Sequence, residues 1–277
     1  MKITDITGGF ELRNGVFMPY LGLGTYQADN DQEVIDSVKD ALEIGYRHID
    51  TASFYKNEEG VGQGIKGSSV DRKDIFLVTK VWNSDQGYES TLQSFNDSIN
   101  RLQVDYLDLF LIHWPVKEKY KDTWRAMEYL YENKKVRAIG VSNFLQHHLE
   151  DLISDCQIKP MVNQMEFHPY LVQQDLMDFC KKNTIQYEAW SPFMQGKVFD
   201  LDVFNKLSDK YGKSVAQIIL RWNLQKGVVT IPKSIHKNRI ASNADIFDFE
   251  LTKEDMAYLD SLDKGERTGP DPDNFDF

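Results

Sequence analysis

The sequence contains few cysteines and no long apolar run. Its two cysteines, Cys156 and Cys180, are far apart among 277 residues and form no C-x-x-C pair. This spacing excludes a zinc knuckle and a disulfide framework, and it predicts two reduced thiols. No apolar stretch approaches the roughly 20 residues of a membrane-spanning helix, and the N-terminal segment lacks the apolar core of a signal peptide. We therefore expect a cytoplasmic protein with no membrane partner.

Basic residues are also scarce relative to acidic ones. The chain has 32 Lys and Arg against 43 Asp and Glu, which gives a formal net charge of −11. Nucleic acids and anionic membranes bind basic surfaces, so this balance argues against both partners. Hydrophobic residues make up 41% of the chain, which is enough for a large core. No linker or repeat divides the sequence, and we expect one domain over residues 1–277.

Short strand-like runs alternate with helical segments along most of the chain. Before them, Asn14-Gly15 separates two short apolar runs and predicts a β-hairpin. Ser214 with Gln217 matches a capping box at the start of one helix. The predicted strands cover 21–24, 47–49, 75–79, 107–112, 136–141, 161–163, 186–189 and 228–231, and helices are predicted over 32–42, 88–102, 122–133, 145–153, 175–182 and 215–225.

Eight strands that alternate with helices predict an α/β fold, a (β/α)8 TIM barrel. An open, doubly wound sheet is the alternative. The hairpin favours the barrel, because it can cover the barrel bottom, where the strands begin. We also expect extra C-terminal helices, the last of them following Thr252.

Polar or aromatic residues follow seven successive predicted strands. In a barrel, the carboxyl ends of the strands meet at one mouth, where chemistry takes place. Each residue alone has a structural explanation, such as capping for Asp50 or a core histidine for His113. As a set they predict a functional site. The strand ends are Asp50, Lys80, His113, Ser142-Asn143, Gln164, Trp190-Ser191 and Lys233-Ser234.

These segments resemble the signatures of the aldo-keto reductase family. Asp50 and Tyr55 lie five apart in Arg-His-Ile-Asp-Thr-Ala-Ser-Phe-Tyr, as the family's catalytic Asp and Tyr do. Lys80 lies in Val-Thr-Lys-Val-Trp, and His113 in Leu-Ile-His-Trp-Pro. Further matching segments are Gly140–Phe144, Val162–Pro169 and Ile231–Ser234. The resemblance runs in order over almost the whole chain, and it is greatest with the bacterial branch, which is associated with glyoxals, diketo sugar acids and assorted aldehydes.

The resemblance implies reduction of aldehydes and ketones to alcohols by hydride transfer from NADPH. Tyr55 would be the general acid that protonates the carbonyl oxygen. A free tyrosine has a pKa of about 10, and a nearby ammonium lowers that value. Lys80 would supply this ammonium, Asp50 would hold the lysine, and His113 would orient the carbonyl group.

The resemblance also assigns residues to the cofactor, NADPH or NADP⁺. Trp190 takes the place where many members stack a tyrosine on the nicotinamide, and Ser242 replaces a common Glu. Two cations near a phosphate favour NADPH over NADH. The nicotinamide carboxamide would contact Ser142, Asn143 and Gln164, the 2′-phosphate Lys233, Ser234 and Arg239, and the adenine Asn243, and other implied cofactor contacts are Gly24, Thr25, Tyr26, Asp50 and Ser191.

An aromatic substrate pocket is implied as well. Its residues would be Tyr26, Trp82, His113, Trp114 and Phe193. The C-terminal tail is short compared with the mammalian branch, which predicts an open pocket and a broad substrate range. From the family we expect a monomer, whose partner is a small-molecule carbonyl substrate.

Other interpretations remain at this stage. The Gly62–Gly67 segment satisfies G-x-G-x-x-G, but it lies inside a plausible helix rather than after a strand, so we interpret it as coincidence. A metal-dependent hydrolase could use His113, His168, Asp50 and Glu188, although the sequence has no H-x-H or HExxH spacing. No metal site is therefore predicted. A relative that binds NADPH without catalysis is the second alternative.

Overall fold

A β-hairpin begins the chain, as predicted. In the computed structural model, which describes residues 3–29 and 31–277, its strands are β1 (Gly9–Glu11) and β2 (Phe17–Pro19). The two strands pair antiparallel. Gly15 has a φ of +81° in the connecting turn, a conformation that glycine adopts without steric strain.

Eight parallel strands follow and form one sheet. They lie side by side in chain order, with β3 and β10 at the two edges. Every residue of β5 and β6 is buried, as expected for parallel strands that are covered on both faces. The strands are β3 (Leu23–Gly24), β4 (His48–Asp50), β5 (Phe76–Val81), β6 (Leu107–Ile112), β7 (Val136–Ser142), β8 (Val162–Glu166), β9 (Gln186–Trp190) and β10 (Val229–Thr230).

The sheet closes on itself through its two edge strands. Parallel bridges join Leu21 to Thr230 and Gly24 to Lys233. The Gly22 N–H donates to the Thr230 carbonyl at 2.9 Å, and the Thr230 N–H donates to the Tyr20 carbonyl at 3.1 Å. The predicted (β/α)8 barrel is therefore confirmed, and the open sheet is not formed.

The hairpin lies where the barrel strands begin. Its turn residue Arg13 donates to the Pro160 carbonyl at 2.5 Å, just before β8. Asn14 donates through its side-chain amide to the Arg137 carbonyl at 2.9 Å, at the start of β7. The hairpin thus covers the bottom of the barrel, as the sequence predicts.

Ten helices occur in the described parts of the chain. The predicted capping box forms at the start of α8: the Gln217 N–H donates to Ser214 Oγ at 3.3 Å, and the Ser214 N–H donates to Gln217 Oε1 at 2.9 Å. Two helices follow the last strand, as expected. The helices are α1 (Gln32–Ile44), α2 (Glu58–Lys66), α3 (Tyr88–Leu102), α4 (Tyr120–Glu132), α5 (Gln146–Ile153), α6 (Gln174–Lys182), α7 (Asn205–Tyr211), α8 (Val215–Gln225), α9 (Lys237–Ala244) and α10 (Lys253–Asp260).

The G-x-G-x-x-G segment has a packing role within α2. A Cβ atom on Gly62 would lie 2.3 Å from the Leu102 carbonyl oxygen, and one on Gly64 would lie 2.7 Å from Val38. These two glycines let α2 approach the end of α3 and the side of α1. Helix packing therefore accounts for the motif, in agreement with its interpretation as a coincidence.

Candidate active site

A cavity of about 870 Å³ opens at the carboxyl ends of the barrel strands. Asp50 is the last residue of β4, Ser142 ends β7, and Trp190 ends β9. The fold thus brings the polar strand ends to one mouth. The predicted site residues that line the cavity are Gly24, Tyr26, Asp50, Tyr55, Trp82, His113, Trp114, Ser142, Asn143, Gln164, Trp190, Ser191, Phe193, Lys233, Ser234, Arg239 and Asn243.

Tyr55 lies on a short 3-10 turn, Ser53–Tyr55, which begins three residues after the end of β4. The Ser53 hydroxyl donates to the Lys80 carbonyl at 3.0 Å, which holds the turn against β5. From there the Tyr55 hydroxyl lies 3.4 Å from Lys80 Nζ. The ammonium of Lys80 also donates to Asp50 Oδ1 at 2.6 Å and to the Thr51 carbonyl at 2.9 Å. Asp50 therefore fixes the lysine beside the phenol, as expected.

The ionisation of this group depends on burial as well as on charge. Burial raises the pKa of Tyr55 to about 12, although the Lys80 ammonium lowers it. Lys80 acts in the predicted direction, but desolvation outweighs it in the ligand-free chain. Burial opposes the charge on Lys80, yet the attraction of Asp50 and Tyr55 raises the pKa of the ammonium. Tyr55 is therefore a protonated phenol beside a charged lysine at neutral pH.

His113 faces the same point of the cavity. Burial and the Lys80 charge hold its pKa well below the usual range, so the imidazole is neutral. Its ring lies 5.7 Å from the Tyr55 ring and 5.0 Å from the Trp82 ring, edge-on to both. A neutral imidazole carries one N–H, which can donate to a carbonyl oxygen.

Aromatic side chains form one wall beside Tyr55 and His113. The Phe54 ring stacks on Trp82 at 3.8 Å, and the Tyr26 ring lies 5.0 Å from Tyr55. Phe54 was not predicted, although it directly precedes Tyr55 in the sequence. Together these rings make an apolar surface next to the polar tyrosine and histidine.

Both amide hydrogens of Asn143 bind protein partners, and its oxygen keeps one acceptor position for a ligand. Its Nδ2 donates to the His113 carbonyl at 3.0 Å and to Ser142 Oγ at 3.1 Å. Its Oδ1 accepts from the indole N–H of Trp190 at 2.9 Å. A tyrosine at position 190 has no indole N–H, so this contact depends on tryptophan.

Two exposed cations line the other end of the cavity. Neither Lys233 nor Arg239 pairs with a carboxylate of any residue that the structure describes. By contrast, the neighbouring Lys237 contacts Asp40 at 3.0 Å and Glu43 at 2.6 Å. Unpaired cations in a chain of net charge −11 leave this end able to accept a phosphate.

Comparison with known proteins shows the family of this chain. Residues 20–264 match the aldo/keto reductase family. The chain belongs to the aldo/keto reductase family. It is 60% identical to a glyoxal reductase of Bacillus subtilis (strain 168) over 274 residues, 99% of each chain. Membership confirms the predicted enzyme class, an oxidoreductase of carbonyl groups.

Solved structures of other aldo-keto reductases closely match this fold. An aldo-keto reductase from a deep-sea metagenome library is 46% identical, with a TM-score of 0.94 over 97% of this chain and 100% of that one. A silkworm (Bombyx mori) aldo-keto reductase solved with NADPH is 35% identical, with a TM-score of 0.91 over 96% of this chain and 90% of that one. The predicted cofactor, NADP(H), is confirmed for this aldo/keto reductase.

Two predicted site residues of this aldo/keto reductase do not line the cavity. Lys80 is buried behind Asp50 and Tyr55, and its ammonium contacts both of them. Thr25 is buried too, and its hydroxyl donates to the Asp50 carbonyl at 3.0 Å. The structure therefore places Thr25 as a support for the end of β4 rather than at the cavity surface.

The last residues of the chain fold back against the substrate end of the cavity. Phe277 stacks on Trp82 at 5.7 Å, and the Asn83 amide donates to the Phe277 carbonyl at 3.0 Å. Phe275 packs against Trp114 at 5.2 Å. The tail therefore lines the substrate end of the cavity through aromatic contacts, and a pocket more open than in the mammalian branch stays a prediction.

In this aldo/keto reductase, the tail begins at Thr268 and Gly269, which contact Glu166 and Trp190. The Thr268 and Gly269 N–H groups donate to Glu166 Oε1 at 2.6 and 3.1 Å. A Cβ atom on residue 269 would lie 2.4 Å from the Trp190 ring, so only glycine allows the tail to pass there. No sequence motif indicated this contact. Residues that line the cavity and were not predicted as site residues are Gln27, Phe54, Pro192, Gln195, Gly196, Phe199, Ser214, Ala216, Ile231, Ser242, Gly269, Pro270 and Phe277.

The alternative metal site does not assemble within the described residues. The cluster that could hold an ion is instead His147, His148 and Asp273. It does not line the cavity. Asp273 Oδ1 lies 2.9 Å from His147 Nε2 and 3.3 Å from His148 Nε2, which ties the tail to α5. Within the described residues, no helix is long and apolar enough to cross a membrane.

Proposed function

We propose that this aldo/keto reductase reduces small aldehydes and dicarbonyls, with Tyr55 as the proton donor. One observation carries the proposal: the Tyr55 hydroxyl lies 3.4 Å from the Lys80 ammonium, which Asp50 holds at 2.6 Å, beside an aromatic cavity. The resemblance to a glyoxal reductase supports the dicarbonyl substrates.

Each residue near Tyr55 has a separate role in this proposal. Tyr55 gives its proton to the carbonyl oxygen, and Lys80 stabilises the phenolate that remains. Neutral His113 donates a hydrogen bond to the same oxygen and so orients the carbonyl carbon. Trp82 and Trp114 contact the apolar part of the substrate.

The residues of the cavity fit NADPH. Lys233 and Arg239 are free to bind the 2′-phosphate, and Ser234 and Asn243 line the cavity beside them. At the other end, Ser142, Asn143 and Gln164 can hold the carboxamide, and Trp190 offers its ring to the nicotinamide. When bound, NADPH supplies the hydride. Gly24, Tyr26 and Ser191 line the cavity between these ends and contribute shape rather than charge.

A substrate screen tests the proposed function. NADPH consumption is followed by absorbance with glyoxal, methylglyoxal, aromatic aldehydes and diketo sugars, each compared with a sample without enzyme. The proposal predicts turnover of small dicarbonyls with NADPH. Absence of turnover with every carbonyl, from a protein that binds NADPH, would support the non-catalytic alternative instead. The monomeric state, the single domain over 1–277 and the cytoplasmic location stay predictions.

A further inference from the structure

The side-chain amide of Gln164 lies between the carboxyl groups of Asp50 and Glu188. Its Nε2 donates to Asp50 Oδ2 at 2.9 Å and to Glu188 Oε2 at 2.8 Å. An amide nitrogen carries two hydrogens, so both are used. No described residue donates to Oε1, and the side chain lines the cavity. The amide oxygen is therefore the polar atom that Gln164 can offer to a ligand.

Glu188 is buried inside the barrel and does not line the cavity. It lies on β9 in register with Gln164 of β8. The titratable groups that face it are His48 and Asp50 from β4 and Lys80 from β5. A buried carboxylate is unfavourable unless polar partners compensate for its lost hydration. Nothing in the proposed proton transfer uses this residue, so its position calls for another role.

We propose that Glu188 is a positioning residue for the cofactor: it fixes the Gln164 amide so that the oxygen accepts a hydrogen bond from the carboxamide N–H₂ of the nicotinamide. This inference rests on the proposed function, because it assumes that the nicotinamide binds beside Gln164. Glu188 touches neither cofactor nor substrate and acts through Gln164.

Two acceptors define the amide orientation better than one. In the reversed orientation, the amide oxygen would face Asp50 Oδ2 and Glu188 Oε2, so both hydrogen bonds would be lost and the Asp50 carboxylate would repel it. Without Glu188, one N–H of Gln164 has no hydrogen-bond partner. Because an unpaired buried N–H is unfavourable, the side chain would rotate to find another acceptor. Asp50 alone is a weaker restraint, because it binds only one of the two amide hydrogens.

The restraint does not depend on the charge of Glu188. Burial and the nearby Asp50 raise the pKa of Glu188 to about 8. A protonated carboxyl group still has a carbonyl oxygen that accepts from Gln164. The hydroxyl of protonated Glu188 can face His48 Nε2, which lies 3.4 Å from Oε1. The His48 ring is neutral, because burial lowers its pKa to about 3.

The test compares NADP⁺ with its acetylpyridine analogue, in which a methyl ketone replaces the carboxamide and removes the N–H₂ group. Dissociation constants are measured by quenching of tryptophan fluorescence, for the unmodified protein, Glu188→Gln and Glu188→Leu. The Gln side chain keeps an acceptor for Gln164, whereas Leu removes it. Gln164→Leu serves as the reference for complete loss of the contact.

We expect the unmodified protein and Glu188→Gln to bind NADP⁺ about five- to tenfold more tightly than the analogue, as one hydrogen bond predicts. In Glu188→Leu and Gln164→Leu, the preference should fall below about twofold. The ratio of NADP⁺ to NAD⁺ affinity reports the distant 2′-phosphate end and should stay constant in all four proteins. General damage to the site would change that ratio as well.

Three outcomes would overturn the inference. They are a full preference for NADP⁺ over the analogue in Glu188→Leu, an equal loss in Glu188→Gln, and no preference in the unmodified protein. If Glu188→Leu does not fold, Glu188→Thr gives the same test, because threonine suits a strand and is too short to reach Gln164. If the unmodified protein binds no NADP⁺ at all, the proposed function itself is wrong.

Discussion

The preference for NADPH over NADH should depend on the two unpaired cations of the cavity. The double variant Lys233→Ala/Arg239→Ala removes both charges from the end that we assign to the 2′-phosphate. Because the two side chains are exposed, we take about 1 kcal/mol for each contact, the upper end for exposed ion pairs. That value corresponds to about fivefold each, or about 30-fold together. NADH has no 2′-phosphate, and its affinity should change less than about twofold.

The assay is titration of each variant with NADPH and with NADH, at one fixed salt concentration. Lys237→Ala is the matched control, because Lys237 is a nearby exposed lysine that already contacts Asp40 and Glu43. It should leave both affinities unchanged. If the double variant loses equal affinity for NADPH and NADH, Lys233 and Arg239 do not contact the 2′-phosphate. The proposed orientation of the cofactor in the cavity would then be wrong.

Two other predictions concern pH and the tail. Because burial holds His113 neutral and raises the pKa of Tyr55 to about 12, the protonated phenol persists through the neutral range, and kcat/KM for carbonyl reduction should be constant there and fall only in alkali. A clear inflection near pH 6.5, the ordinary value for histidine, would contradict this in a pH–rate profile. Removing residues 275–277 should raise kcat/KM for bulky aldehydes relative to glyoxal by about three- to tenfold, since it removes the rings that pack on Trp82 and Trp114. An unchanged ratio in steady-state kinetics would show that the tail does not limit access.

The barrel and its reactive mouth could be predicted because their signals are local. Each strand is a short β-rich run, and the carboxyl ends of successive strands must meet. Asp50, Lys80 and His113 therefore follow from strand boundaries alone. The Asn-Gly turn and the Ser214–Gln217 cap are also defined by residues within a few positions of each other.

The features that were missed depend on distant contacts. Phe277 covers the cavity because it stacks on Trp82, 195 positions away along the chain, and nothing near residue 277 indicates it. The sign of the net shift at Tyr55 was also missed, since the sequence places Lys80 nearby but does not give the depth of burial. The sequence likewise gives no sign that the Thr25 hydroxyl donates to the backbone of Asp50, and the assignment of Thr25 to the cofactor stays a prediction.

The central claim is that Tyr55 donates the proton, and Tyr55→Phe tests it most directly. The substitution removes one hydroxyl and keeps the ring that packs beside Tyr26 and His113. With glyoxal and saturating NADPH, kcat should fall by about 10²- to 10⁴-fold, while the dissociation constant for NADPH stays within about twofold of the unmodified value. A variant that binds NADPH normally and keeps a near-normal kcat would contradict the account.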